Sequence, residues 1–176
     1  FDILGLRTLS VVYDVCKQTG IDISTVDLNS ELIYQNLQSI NTPQGLFQIE
    51  ADTNFRVCQK VKPRNLEELS AVVAIARPGA LEFLQNYATY IESGNFQSVN
   101  PFFDEELSYT GGIPLYQEQL MKMAVKVGFT LDESEQLRRI VGKKKVDQIE
   151  AWKQKIEDKV KENNLTEEIG NVLWKV

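Results

Sequence analysis

Apolar residues recur along this chain mainly at helical spacing, which predicts a mainly α-helical protein. In residues 6–18, Leu6, Leu9, Val12 and Cys16 lie three or four residues apart, the spacing of one buried helix face. Glycine and proline mark the places where such segments stop. By the same reasoning, further helices are predicted over residues 30–40, 51–62, 65–75, 80–92, 116–127, 131–141, 146–163 and 166–176.

Two of these predicted helices begin with a capping pattern. Asn65 is followed three residues later by Glu68, and Thr130 is followed in the same way by Glu133. In this pattern the first side chain accepts a hydrogen bond from the backbone at the helix start, and the acid favours the positive end of the helix dipole. Gly142 is predicted to end the helix that Thr130 begins.

Two short segments favour strands instead. Residues 46–50 alternate apolar with polar positions, which is the period of a strand. Residues 1–6 look like the inside of a strand, and residues 93–115 carry enough glycine and proline to be mainly loop, with a short helix over 102–107. The predicted fold is therefore mainly α, with one or two short strands.

Composition excludes several classes of catalytic site. The chain contains no histidine and two cysteines, so it cannot form a Ser-His-Asp or Cys-His triad, an HExxH zinc site or a His-ligated haem by itself. Cys16 and Cys58 are too few for a four-cysteine zinc site and too far apart in sequence for a CxxC redox centre. They could form at most one disulfide, and we expect them to be reduced and buried.

The ends and the hydropathy favour a fragment of a cytoplasmic protein. The sequence begins without methionine or a signal peptide, and its longest apolar run covers residues 71–76. That run is far below the ~18 residues that a membrane span needs. We therefore expect a piece cut from a longer polypeptide, cytoplasmic and without a membrane partner.

A local excess of positive charge stands out against a net charge of −6. Residues 138–145 carry five positive charges and no negative one. If Gly142 ends the helix, the lysines could fold back near the arginines, and such a cluster repels itself unless an anion is present. Two interpretations stay open on charge alone: a solvated helix end that favours the helix dipole, or a phosphate-binding site.

Two further motifs are weak when taken singly. Arg77 stands at a helix break, before Pro78 and Gly79, where its guanidinium group can project from a rigid turn. Tyr116 and the polar residues up to Gln119 start a predicted helix, where amides and acids commonly cap backbone groups. Each pattern alone is typical of ordinary helix boundaries.

Five motifs follow one another along the chain, at residues 1–9, 42–50, 77–81, 116–121 and 137–145. In order and with compatible spacing, they resemble the C-family polymerases, the family of bacterial replicative DNA polymerase III alpha subunits. The resemblance runs from residue 1 to about residue 150. It implies that residues 1–5 are the end of a catalytic strand of the palm and that residues 6–176 are a helical fingers region.

The resemblance also implies roles for individual residues. Asp2 matches a metal-binding carboxylate of the palm and is the expected catalytic residue and Mg²⁺ ligand. Gln48 and Glu50 match a motif close to the active site, without an assigned role. The residues that match motifs handling the incoming deoxynucleoside triphosphate (dNTP) are Arg77, Tyr116, Gln119, Arg138, Arg139, Lys143 and Lys144.

These residue types suit nucleotidyl transfer. Carboxylates hold the Mg²⁺ ions that bridge the primer end and the nucleotide phosphates, and guanidinium groups match phosphate oxygens with paired hydrogen bonds. The resemblance therefore implies a DNA-directed DNA polymerase that uses dNTP and primer–template DNA. Its partners would be the rest of the polymerase and replisome subunits such as the sliding clamp. The fragment alone is expected to be inactive, because one carboxylate cannot position two metal ions.

The chain also departs from the family pattern. Ala51 stands where serine is common and Ala80 where a second proline is common, and residues 93–109 are short and idiosyncratic. The paired aspartates of the palm do not occur in this sequence. The alternative from another class is a non-catalytic helical interaction module, whose basic cluster contacts a nucleic-acid backbone or an acidic protein.

Overall fold

A computed structural model of the chain describes residues 3–77, 79–143 and 146–175. Within those residues it forms α-helices joined by loops and short 3₁₀ turns, without β-strands. The prediction of a mainly α fold is confirmed. The helices are α1 (Arg7–Thr19), α2 (Glu31–Ser39), α3 (Asp52–Val61), α4 (Leu66–Ile75), α5 (Leu84–Ser93), α6 (Gln117–Val127), α7 (Leu131–Lys143), α8 (Val146–Glu162) and α9 (Glu167–Lys175).

The helix boundaries follow the predicted ones closely, with three differences. The helix predicted over 80–92 begins as a 3₁₀ turn at Leu81–Phe83, and α5 starts only at Leu84. The helix predicted over 102–107 is replaced by the 3₁₀ turns Pro101–Phe103 and Ser108–Thr110. Helix α7 does not end at Gly142 but continues to Lys143. The arginines and position 143 therefore share one continuous helix, and position 143 lies one turn after position 139.

The strand predicted over residues 46–50 does not form. The backbone makes two successive turns, in which the Leu46 N–H donates to the Pro43 carbonyl at 3.0 Å and the Ile49 N–H to the Leu46 carbonyl at 2.9 Å. Gln48 has a φ of 62°, which is incompatible with an extended strand. Ile49 is buried, whereas Phe47, two residues before it, is exposed, so the apolar side chains of this segment do not share one buried face.

The strand predicted at the start of the chain falls only partly on described residues. Residues 3–6 have no regular secondary structure. Phe1 and Asp2 lie outside the described part of the chain.

The chain divides into two compact units, residues 1–76 and 77–176. In the first unit α3 packs against α4. Both helices contribute buried residues to this contact, whereas α1 has no buried side chain. Cys58 on α3 is a buried free thiol whose pKa is raised by burial, and Cys16 on α1 is a half-buried free thiol. The buried side chains of α3 and α4 are Phe55, Val57, Cys58, Val61, Glu68, Ala71, Val72 and Ile75.

The second unit is built around a core shared by its last four helices. Helix α6 packs against α7 and α9, and α8 packs against both α7 and α9. Met123 on α6, Leu137 on α7, Trp152 and Ile156 on α8 and Leu173 on α9 all belong to this core. None of the helices in the described ranges has the length and apolar character of a membrane span.

Candidate functional site

The start of α6 is fixed by the buried amide of Gln119. Its Oε1 accepts hydrogen bonds from the backbone N–H groups of Leu115 and Tyr116, at 2.8 and 2.9 Å. Its Nε2 donates to the hydroxyl of Thr110 at 2.7 Å, and that hydroxyl donates to the Ile113 carbonyl at 2.6 Å. Gln119 has no exposed surface. This network ties the loop before α6 to the first turn of the helix.

At its two glycines, the backbone of the same loop lies very close to neighbouring residues. Gly111 and Gly112 both have positive φ, 68° and 88°, a conformation that glycine adopts without strain. A side-chain carbon at Gly111 would overlap the ring of Tyr90. A side-chain carbon at Gly112 would likewise overlap the backbone of Gln97, so packing requires glycine at both positions.

An aromatic pair lies beside this network. The rings of Tyr109 and Tyr116 stack nearly parallel, with centroids 6.1 Å apart and an interplanar angle of 6°. The ammonium group of Lys122 lies 5.9 Å from the centre of the Tyr109 ring. Burial, together with the negative charge of Glu118, raises the pKa of Tyr109. Stacking therefore fixes Tyr116, the predicted nucleotide-binding residue, against a second tyrosine.

Helix α7 carries the arginine pair, and its first turn is fixed by hydrogen bonds. At its start Thr130 Oγ1 accepts from the Glu133 N–H at 3.2 Å, and Glu133 Oε2 accepts from the Thr130 N–H at 2.8 Å. This is the predicted capping box, and the hydrogen bonds that the Glu133 carboxylate accepts from Thr130 lower its pKa. One residue before Arg138, Leu137 is buried in the core of the second unit. Helix α7 is thus fixed by hydrogen bonds at its first turn and by the burial of Leu137 beside the arginines.

A single carboxylate joins the two arginines. Glu135 Oε2 lies 2.6 Å from Arg138 Nε, and Glu135 Oε1 lies 2.7 Å from Arg138 Nη2. The same Oε1 lies 2.8 Å from Arg139 Nε. Hydrogen bonds from both guanidinium groups lower the pKa of Glu135 to about 2, and the pKa of Arg138 is raised. Glu135 is therefore ionised at neutral pH.

The site retains positive charge in spite of this carboxylate. Two guanidinium groups share one negative charge. The Arg138 side chain is 29% exposed and that of Arg139 is 65% exposed, so both reach solvent. Within this group of three side chains, two positive charges therefore outnumber one negative charge.

A side-chain contact connects α7 to α6. Arg138 Nη1 donates to the Gln117 Oε1 at 2.7 Å, across 21 positions in the sequence. Gln117 is the first residue of α6 and follows Tyr116 directly. The hydrogen bond therefore places Arg138 beside the first turn of α6, which directly follows Tyr116 and contains the buried Gln119.

The other predicted site residues are placed separately. Arg77 is exposed, and within the described ranges its side chain has no salt-bridge partner. Gln48 and Glu50 belong to the first unit and are both exposed. The Gln48 carbonyl accepts from Asn54 Nδ2 at 2.6 Å, and Glu50 Oε1 accepts from the Gly45 N–H at 3.3 Å.

The metal-binding prediction cannot be placed on the structure. Asp2 and Lys144 lie outside the described residues, and so does the side chain of Lys143. Among the residues that are described, no group of three or more carboxylate or cysteine side chains could hold a metal ion. The Mg²⁺ site at Asp2 therefore stays a prediction.

Sequence reasoning missed three participants in this site. Glu135 precedes Arg138 and Arg139 by three and four residues, a spacing that places such pairs side by side on a helix, so its role was readable from the sequence. Gln117 and Thr110 act on residues of another element, and nothing in the local sequence reveals their partners.

Comparison with known proteins places the chain in a family. Residues 6–164 match the family model of the bacterial DNA polymerase III alpha subunit finger domain. The match spans most of the chain, including the Gln119 network and the arginine pair. The chain belongs to this family of polymerase finger domains.

Its relatives are much longer proteins. The chain is 30% identical over 181 aligned residues to the DNA polymerase III subunit alpha of Staphylococcus aureus strain COL, and 31% identical to that of Staphylococcus epidermidis. In both cases the alignment covers 98% of this chain and 17% of the relative. The chain thus corresponds to about a sixth of the length of these alpha subunits.

Proposed function

We propose that this chain is the fingers region of a DNA-directed DNA polymerase and that Arg138 and Arg139 bind the triphosphate of the incoming dNTP. The observation that carries the proposal is the pair of guanidinium groups on α7, held together by Glu135 and still bearing net positive charge. Guanidinium groups match phosphate oxygens with paired, charge-assisted hydrogen bonds. A triphosphate carries several anionic oxygens, so it can accept such hydrogen bonds from two adjacent guanidinium groups at once.

The remaining predicted residues have graded roles in this proposal. Tyr116, stacked on Tyr109, lies at the start of the helix that contacts Arg138 and would line the nucleotide site. Gln119 is buried, so we assign it the positioning of that helix start rather than contact with nucleotide. Arg77, Lys143 and Lys144 would add positive charge near the phosphates, and Gln48 and Glu50 would lie close to the active site.

The residues that would carry out catalysis lie mostly outside the helices of this chain. Residues 1–5 would be the end of a palm strand carrying Asp2, and residues 6–176 would be the fingers. Asp2 would bind Mg²⁺ together with carboxylates from the rest of the polymerase, and the metal would neutralise the phosphate charge that develops during nucleotidyl transfer. Primer–template DNA and replisome subunits such as the sliding clamp would be the partners, in the cytoplasm.

The test separates use of nucleotide from binding of DNA. In the full-length polymerase that carries this chain, we expect Arg138→Ala with Arg139→Ala to lower kcat/KM for dNTP on the order of 100-fold, because two charge-assisted contacts to phosphate are lost. The dissociation constant for primer–template should change little. Steady-state incorporation and a DNA-binding titration measure the two quantities.

A matched control removes the same charge elsewhere. Lys153→Ala with Lys161→Ala deletes two exposed cations of α8 and should leave both quantities unchanged. Equal losses of nucleotide use and DNA binding in the arginine variant, or no loss, would contradict the triphosphate assignment. Salt-sensitive binding of bare duplex without any response to nucleoside triphosphates would favour the interaction module instead.

A further inference from the structure

Glu135 has a position that the proposed nucleotide site leaves unexplained. A carboxylate beside a site for an anion weakens the attraction, yet this one accepts three short hydrogen bonds from the two arginines. We propose that Glu135 is a positioning residue, whose carboxylate holds the guanidinium groups of Arg138 and Arg139 in the orientation in which they bind polyphosphate. This inference rests on the proposed function.

The hydrogen bonds fix the plane of the Arg138 guanidinium group. Glu135 engages its Nε and Nη2 together, at 2.6 and 2.7 Å, and Gln117 engages its Nη1 at 2.7 Å. Contacts from two helices thus determine how this group is turned. A free arginine side chain would lose much of its rotational freedom on binding a ligand, and a group that is already held loses less.

The same contacts leave donors for a ligand. A guanidinium group carries more N–H donors than the three that Arg138 uses. Arg139 uses only its Nε towards Glu135, and within the described ranges its terminal nitrogens have no hydrogen-bond partner. Glu135 therefore accepts hydrogen bonds from some of the N–H groups of both arginines. The N–H groups that remain can donate to phosphate oxygens.

Charge explains why an acid is needed at this place. Adjacent guanidinium groups repel one another, and a carboxylate between them offsets that repulsion when no nucleotide is bound. The depressed pKa of Glu135 keeps the carboxylate ionised at every pH at which a polymerase would be assayed. One negative charge against two positive ones still leaves the site attractive to a polyphosphate.

Two other roles for Glu135 make different predictions. If it merely stabilised α7, as salt bridges at this spacing do weakly, its loss would not change the interaction with nucleotide. If it competed with nucleotide for the arginines, its removal would tighten nucleotide binding. Only positioning requires that nucleotide binding weaken when the carboxylate is removed or moved.

The experiment compares four variants in the full-length polymerase: Glu135→Gln, Glu135→Asp, Asp132→Asn and the Arg138→Ala, Arg139→Ala pair. Glu135→Gln removes the charge at constant size, and Glu135→Asp keeps the charge on a shorter arm that cannot reach both arginines. We expect each to raise KM for dNTP about tenfold, because both guanidinium groups must then be ordered on binding. The inhibition constant of inorganic tripolyphosphate should rise in parallel, with kcat and DNA affinity nearly unchanged.

Asp132→Asn is the control, because it removes an exposed acid from the first turn of the same helix that makes no hydrogen bond or salt bridge to either arginine within the described residues. It should leave KM unchanged. If the arginine pair variant raises KM but neither Glu135 variant does, positioning is wrong and the proposed function stands. A lower KM in Glu135→Gln with Glu135→Asp unchanged would identify a competing anion and also overturn the inference. If the arginine pair variant itself leaves KM unaltered, the proposed function fails, and this inference with it.

Discussion

At the scale of single residues, Gln119 shows how a motif position can be occupied by a structural group. Its amide satisfies two backbone N–H groups before α6 and the hydroxyl of Thr110. No buried side-chain nitrogen or oxygen among the described residues lacks a partner. Removing the amide would leave buried polar groups without partners, which costs more than the hydrogen bonds contribute when present.

We therefore expect Gln119→Leu to lower the free energy of unfolding of this chain by about 3 kcal/mol, since several buried polar groups lose a partner together. Gln136→Leu is the control, because Gln136 is exposed on α7 and makes no side-chain hydrogen bond within the described residues, and the same replacement there should cost less than about 0.5 kcal/mol. Urea unfolding followed by circular dichroism gives both values. Equal midpoints for the two variants would show that the network does not stabilise the fold.

The arginine pair was visible in the sequence, but the acid that binds it was overlooked. The grouping of five cations in residues 138–145 indicated a phosphate site or a solvated helix end. That description omitted Glu135, which lies just before the group and pairs with both arginines. An anion was expected to be needed by such a cluster, and the chain supplies one itself.

At the scale of secondary-structure elements, the helices were predictable because their causes are local. Amphipathic spacing, the capping residues Asn65 and Thr130, and the stops at glycine are all written within one or two turns of sequence. Asn65 Oδ1 accepts from the Glu68 N–H at 2.9 Å, as predicted. The prediction of a strand over residues 46–50 was wrong. Five alternating residues are too few to determine a strand, and the backbone turns at Gln48.

Helix α1 is the element least supported by this chain. It has an amphipathic sequence, but none of its side chains is buried, and Leu9, Val11, Tyr13 and Val15 are exposed. An isolated helix of this length is only marginally stable in water. We expect its amide hydrogens in the 176-residue chain to exchange at least about 100-fold faster than those of α6.

Hydrogen exchange followed by mass spectrometry measures this difference. Helix α6 is the internal reference, because Leu120, Met123, Ala124 and Val127 on it are buried. Similar protection of α1 and α6 would mean that α1 is stabilised by contacts beyond those described.

At the scale of the whole molecule, the chain is a small part of the proteins it resembles. It covers 17% of the length of the staphylococcal alpha subunits, and within the described residues no group of three or more carboxylate or cysteine side chains could hold a metal ion. Nucleotidyl transfer requires two metal ions held by several carboxylates. We therefore expect that the isolated chain can bind nucleotide but cannot catalyse nucleotidyl transfer.

We expect the purified 176-residue chain to extend no primer in the presence of Mg²⁺ and all four dNTPs, because Asp2 alone cannot position two metal ions. A primer-extension assay with the full-length polymerase as positive control provides the measurement. Incorporation above the background without protein would refute this expectation and require a complete metal site within the chain.

The sequence by itself determined the helical class, most helix boundaries, the capping box of α7 and membership of the polymerase finger family, because these depend on local spacing and on motifs that can be read along the chain. Only the tertiary structure decided that Gln119 is buried, that Gln117 contacts Arg138 across 21 positions and that Tyr116 stacks on Tyr109. Those contacts join residues on different elements, and their partners are chosen by how α6 and α7 pack on the shared core. No local pattern encodes that packing.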